Sequence, residues 1–130
     1  MGAVYIAVTP RLADNLLPRA IAHFQSARPQ IGLTLLTMDN LSVVEAVAQE
    51  RVDFGLVLTP LGEPEARLVP LCTGALIAVV PPGHALAGRA SVTPSDLASY
   101  PLISFSRNLP LGHLVKTAFR RVGVPRRIRF

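Results

Sequence analysis

Residues 3–59 alternate apolar runs with amphipathic stretches, and that alternation leaves few folds open. Residues 4–8, Val-Tyr-Ile-Ala-Val, form an unbroken apolar run rich in β-formers, as expected of a strand covered on both faces by helices. Thr9-Pro10 ends it, because proline has no N–H to give a ladder. Leu12, Leu16, Leu17, Ala20, Ile21 and Phe24 then recur at helical spacing and make one apolar stripe. Pro18 falls inside that stripe. Either the helix starts late, with Asp14 or Asn15 capping it and Pro18 in its first turn, or it kinks at Pro18. Arg28-Pro29 stops it. Residues 31–38 read as a second strand, and Asp39-Asn40 as a turn able to cap a helix beginning near Leu41. That helix puts Leu41, Val44, Val47 and Ala48 on one face and ends near Glu50-Arg51. Residues 54–58 are a third strand, again apolar, with Asp53 at its start to satisfy nearby backbone donors.

Strand-helix-strand units of this length impose right-handed crossovers and a parallel sheet. Ligands of such sheets sit just beyond the carboxyl ends of the strands. Thr9, Arg11, Asn40 and Thr59 all fall there, beside two helix N-termini whose free N–H groups favour an anion. Taken singly, each is also a residue type that a strand-to-helix turn asks for. Their convergence is the functional signal.

The pattern then changes from alternating helices to consecutive strands. Residues 61–67, with Gly62 and Pro64, read as a loop, and residues 68–71 and 75–80 as two strands. Pro81-Pro82-Gly83-His84 is a sharp exit. Thr93-Pro94-Ser95-Asp96 carries the threonine, proline and acid of a capped first turn, opening a short helix that Tyr100-Pro101 ends. Residues 102–105 read as a strand. Residues 111–122 read as a last helix, with Leu111, Leu114, Val115, Ala118, Phe119 and Val122 on one face and Gly123 as its C-cap. Residues 127–130 begin a further strand.

Half the residues are hydrophobic and 16% are charged, which excludes a disordered tail. A chain of 130 residues can form one domain or two small lobes sharing a hinge. The net charge of +5 is unevenly placed: residues 1–119 carry eight acids and eight bases, and the excess is Arg120, Arg121, Arg126, Arg127 and Arg129. A DNA-reading surface needs a basic face spread along an element of the fold. Five arginines beside a chain end read instead as a solvated terminus. Cys72 is the one cysteine, so no internal disulfide forms, and it reads as a small buried strand residue. No basic leader with an apolar core opens the sequence, and the longest apolar run falls far short of the ~20 residues of a membrane helix. The expectation is a soluble, cytoplasmic protein with no membrane partner.

These residues carry a family likeness. Tyr5-Ile6-Ala7-Val8-Thr9-Pro10 followed by Asn15-Leu16-Leu17-Pro18 resembles the opening of the effector-binding domain of LysR-type transcriptional regulators. Arg51-Val52-Asp53-Phe54-Gly55-Leu56 is similar to that family's acid-glycine third strand. Pro70-Leu71, His84-Ala85-Leu86-Ala87 and then residues 92–103 (VTPSDLASYPLI) resemble its crossover into a second lobe. The likeness runs through all 130 residues in register. It implies an α/β fold, a bilobed domain of the periplasmic-binding-protein type 2 kind. Residues 1–74 would be the first part of lobe I (βαβαβ), and residues 75–130 the hinge crossover and part of lobe II, without the return to lobe I.

The resemblance also implies a small-molecule effector in an interlobe cleft, and hydroxyls, one amide and one arginine in an otherwise apolar cleft suit a small carboxylate, aromatic or not. By position Thr9, Arg11, Leu12, Asn40 and Thr59 would line one side of it and Ser104 and Ser106 the other, with Leu111-Gly112 nearby. Arg11 or Arg107 would pair with the carboxylate. The family's amino-terminal winged helix-turn-helix and linker helix, and its carboxyl-terminal part, are not matched by these residues. DNA would then be bound only through that separate domain, and the first lobe's sheet would show a bare edge inviting a homo-oligomer.

Other readings have less support. His23, His84 and His113 lie far apart, with no HExxH or CxxC, so neither a metal nor a cofactor is expected. A Ser104 or Ser106 triad with His84 lacks the G-x-S-x-G elbow, and no Walker or G-x-G-x-x-G loop occurs, which argues against an enzyme. A solute-binding protein of the same bilobed fold, or a dimerisation module without ligand, are the alternatives. Response to a ligand separates the second from the first.

Overall fold

β1 (Ala3–Val8) is the middle strand of a parallel sheet ordered β2-β1-β3, with β2 spanning Gly32–Thr37 and β3 spanning Phe54–Leu56. The computed structural model describes residues 2–59 and 64–129. The register runs from Ala3↔Gly32 to Val8↔Thr37 on one side of β1 and from Ile6↔Phe54 to Val8↔Leu56 on the other. Parallel neighbours need a crossover between them, and helical segments supply both. All three strands therefore end at one edge. Asp53 belongs to this ladder: its carboxylate accepts from the Tyr5 N–H at 2.8 Å, while its own N–H donates to the Tyr5 carbonyl at 2.9 Å.

The first crossover is two helices, α1 (Pro10–Asn15) and α2 (Leu17–Ala27), meeting at Leu16. Pro18 sits in the first turn of α2, where its missing N–H costs nothing. Neither Asp14 nor Asn15 caps: the Asn15 amide donates back to the Arg11 carbonyl at 3.0 Å, and Leu16 holds the N-cap position in a helical conformation. The helical stretch thus begins earlier than the apolar stripe, at a proline whose fixed φ suits a first helical position.

The second crossover is α3 (Asn40–Ala48), capped by Asp39 accepting from the Ser42 N–H at 3.0 Å. It closes with Glu50 at φ 56, the Glu50 N–H reaching the Val47 carbonyl and the Arg51 N–H the Ala46 carbonyl. That pair of bonds is the Schellman ending, with glutamate in the left-handed place that glycine usually takes. α3 lies on β3 because Gly55 lacks a side chain: a Cβ there would run into Val43 and Val47. The core follows directly, with Ala7, Val43, Ala46 and Val52 buried and Met38, Val47 and Val57 against them.

β1 is covered at its carboxyl half, where Ile6, Ala7 and Val8 are all buried. β2 lies at an open edge of this sheet. It pairs with β1 alone among the described residues, and Leu35 and Leu36 keep 38% and 41% of their surface. Edge position, which composition does not encode, decides this.

The chain forms two compact units, Met1–Val69 and Pro70–Phe130. In the second, α4 (Pro94–Leu97) has a full capping box, Thr93 and Asp96 bonding each other's backbone N–H. β4 (Pro101–Leu102) pairs in parallel with β5 (Arg127–Ile128), and α5 (Pro110–Arg121) runs between them. α5 buries Phe119, and its Gly112 packs on the backbone of Phe105 and Ser106.

Three expectations fail here. Residues 68–71 and 75–80 are not strands, and Ile77 and Val79 are exposed at 81% and 87%. The strand expected over residues 102–105 shrinks to Pro101–Leu102. Cys72 is exposed and outside any strand. The physical reason is shared: a β-prone run becomes a strand only where a neighbour's N–H and C=O groups meet it, and among the described residues none does. The loop read over residues 61–67 lies partly, and Phe130 wholly, outside the described residues.

Candidate ligand site at the carboxyl edge of the sheet

Thr9 follows the last residue of β1 and holds the N-cap position of α1, its carbonyl taking the Ala13 N–H at 3.0 Å. Threonine there ordinarily turns its hydroxyl onto a helix N–H. Here it makes no such bond. Thr9 is 92% buried, and its Oγ1 has no hydrogen-bond partner among the described residues. A buried hydroxyl left alone costs about 1–3 kcal/mol.

Asn40 opens α3 and is clamped to the far side of β1. Its amide Nδ2 donates to the Leu58 carbonyl at 2.8 Å, and its Oδ1 accepts from the Leu58 N–H at 3.1 Å. This pair ties the chain two residues beyond β3 to the start of α3, and Thr59, which follows, is exposed. The amide keeps one N–H and one lone pair for anything else. Asp39, next to it, is held below the usual carboxylate range, first by the Ser42 backbone N–H and then by the Ser42 hydroxyl. Arg11 stands exposed in the first turn of α1, and Leu12 beside it is half-buried.

In the second unit, Ser104 lies two residues beyond β4, its Oγ buried and, like that of Thr9, without a partner among the described residues. Ser106 is exposed, and its Oγ takes only a long 3.5 Å contact from the Asn108 N–H. Arg107 is exposed. Gly112 serves packing, since a Cβ there would strike the Ser106 carbonyl. Among the described residues, no three His, Cys, Asp or Glu side chains gather as a metal site, and no helix is long and apolar enough to cross a membrane.

The sequence matches the LysR substrate binding domain over residues 1–130. The chain belongs to this family. The regulator DgcR of Pseudoalteromonas is 29% identical over 114 residues, 88% of this chain and 39% of its own length. The octopine catabolism regulator OccR of Rhizobium meliloti is 35% identical over 95 residues, 73% of this chain and 31% of its own. The chain therefore spans well under half the length of these curated relatives. The effector-binding domain of QuiR, solved with shikimate, superposes with a TM-score of 0.82 at 22% identity, covering 98% of this chain and 62% of that one. That of BenM, solved with benzoate, gives 0.71 at 20%, covering 98% and 60%. The LysR-domain fold is thus the periplasmic-binding-protein type 2-like α/β fold that the sequence resemblance implied.

The Asn40–Leu58 clamp was not visible in the sequence. It joins residues 18 apart, and no local pattern marks Leu58 as the partner. A lone asparagine after a helix cap is the only trace.

Proposed function

We propose that this domain senses a small carboxylate metabolite for a LysR-type transcriptional regulator, controlling DNA binding by a separate winged helix-turn-helix domain. The observation that carries the reading is Thr9: a buried hydroxyl with no partner among the described residues, at the edge where the three strands of the first unit end. A ligand oxygen supplies what the fold withholds, and the hydroxyl recovers its hydrogen bond only when the site is filled. The free atoms of Asn40, exposed Thr59 and Arg11, and apolar Leu12 complete the contacts from the first unit. Arginine suits a carboxylate because its fork of donors meets both oxygens. Shikimate and benzoate, the ligands named with QuiR and BenM, are carboxylates of this size. The ligand is a signal and is not consumed, so no catalytic residue and no cofactor belong to this reading. A cytoplasmic regulator assembling as a homo-oligomer, with the open edge of β2 available to a second copy, is part of it.

Thermal unfolding with a panel of small carboxylates, shikimate and benzoate among them, tests the proposal. A true ligand adds RT ln(1 + [L]/Kd), about 2.7 kcal/mol at a hundredfold excess over Kd. Thr9→Val keeps the shape and removes the hydroxyl, so it should abolish that response while leaving the unliganded domain as stable or slightly more so. A full response retained by Thr9→Val, or turnover of the bound compound, refutes the reading.

A further inference from the structure

The two units carry opposite charge. Met1–Val69 holds five basic residues against seven acids, net −2, and Pro70–Phe130 holds eight against one, net +7, together the +5 of the chain. The single acid of the second unit, Asp96, is already paired with Arg89 at 2.9 Å. No other ion pair occurs among the described residues. The basic excess, read from the sequence as a solvated terminus, is largely exposed and is also held within regular elements. Arg120 and Arg121 form the last turn of α5, and Arg127 lies on β5, paired with β4. The Arg129 N–H continues that ladder to the Leu102 carbonyl at 2.9 Å. The Val124 N–H returns to the Phe119 carbonyl, and Gly123 turns at φ 69, so the chain folds back directly after the helix. Four exposed arginines are thus held at one α5–β5 corner. Arg120 and Arg121 have a structural reason to be there, since cations suit a helix C-terminus. Arg127 and Arg129 have none, and as residues i and i+2 of an extended chain they share a side.

We infer that this corner is a phosphate-contacting surface that touches duplex DNA without reading its sequence. A fixed array of guanidinium groups with no acid among them matches a regular line of phosphates, which arginine grips with two parallel donors. DNA is the polyanion at hand, because matched relatives are helix-turn-helix regulators. The inference is independent of the ligand reading above: it concerns other residues and no effector.

The 130-residue chain is titrated against a fluorescein-labelled random-sequence duplex, following anisotropy across a salt series. Four phosphate contacts give a log–log salt slope of roughly −3.6, hence about fiftyfold weaker binding at 150 mM than at 50 mM salt. Removing two contacts with Arg127→Gln and Arg129→Gln halves the slope, leaving about a sevenfold change. Arg127→Lys with Arg129→Lys retains the charges and the slope, so a loss confined to the glutamine pair is not a folding defect. Arg19→Gln with Arg28→Gln, in the first unit, leaves it unchanged. No detectable binding at 50 mM salt, or a slope untouched by the glutamine pair, overturns the inference. So does tighter binding to poly-glutamate than to duplex, which would assign the corner to an acidic protein.

Discussion

Replacing Gly55 with alanine tests the packing on which the candidate site rests. A Cβ at this position falls within contact of Val43 Cγ1, 3.2 Å from Val47 Cγ2 and 3.5 Å from the Ala7 carbonyl oxygen. Val43 is 1% exposed and has nowhere to turn. Forcing a methyl into a filled core costs about 1–3 kcal/mol, against which glycine's removal from a strand returns about 0.5–1 kcal/mol. The net expectation is a loss of about 1–2 kcal/mol. α3 must shift outward, and its first residue is Asn40, so the 2.8 and 3.1 Å bonds to Leu58 should weaken together. Urea unfolding gives the stability change, and hydrogen exchange at the Leu58 amide reports the clamp. Val43→Ala alone opens a cavity worth roughly 2 kcal/mol. If the clash is the cause, combining it with Gly55→Ala should cost about 1 kcal/mol less than the two changes summed. Strict additivity, or a Gly55→Ala protein as stable as the parent with Leu58 equally protected, refutes the reasoning.

Glu50→Gly removes the side chain from a left-handed position and should raise stability by about 1 kcal/mol, visible as a higher urea midpoint at unchanged slope. Gly112→Ala should lower it by about 1–3 kcal/mol by pushing α5 off the Ser106 carbonyl, with Phe119 becoming more exposed to quenchers. Asp39 and Asp96 are both held below their ordinary 3.8, mainly by the backbone N–H groups of Ser42 and Thr93. A carboxylate depressed in the folded state stabilises it above the unfolded pKa. That contribution is lost as pH falls from about 3.8 through the folded values, so melting temperature should drop in this window. Asp39→Asn with Asp96→Asn should flatten that part of the profile, and an unchanged profile would exclude these two caps as its source.

What the sequence discloses depends on how far apart the interacting groups lie. Thr93 and Asp96 are three residues apart, Asp39 and Ser42 likewise, and both caps are readable because cause and partner share one turn. Asp53 bonding backbone was legible from its place at the head of β3, though not that Tyr5 is the donor, 48 residues away. Pairing across such distances is what failed for residues 75–80: Leu76 to Val80 have the composition of a strand but no neighbour among the described residues to make them one.

The candidate site shows both sides of this rule. Thr9 and Asn40 are caps or turns by local logic, and either residue type could serve there without binding anything. The structure separates them: Asn40 commits one N–H and one lone pair of its amide to Leu58, whereas the Thr9 hydroxyl is buried with no partner among the described residues. An unfilled hydrogen-bonding capacity is a property of the assembled fold, because it is defined by the absence of partners from every other segment. It is therefore the part of a binding site that sequence patterns reach last. It is also the part that points most directly to a ligand, since a fold with no use for the hydroxyl would be more stable with valine in its place.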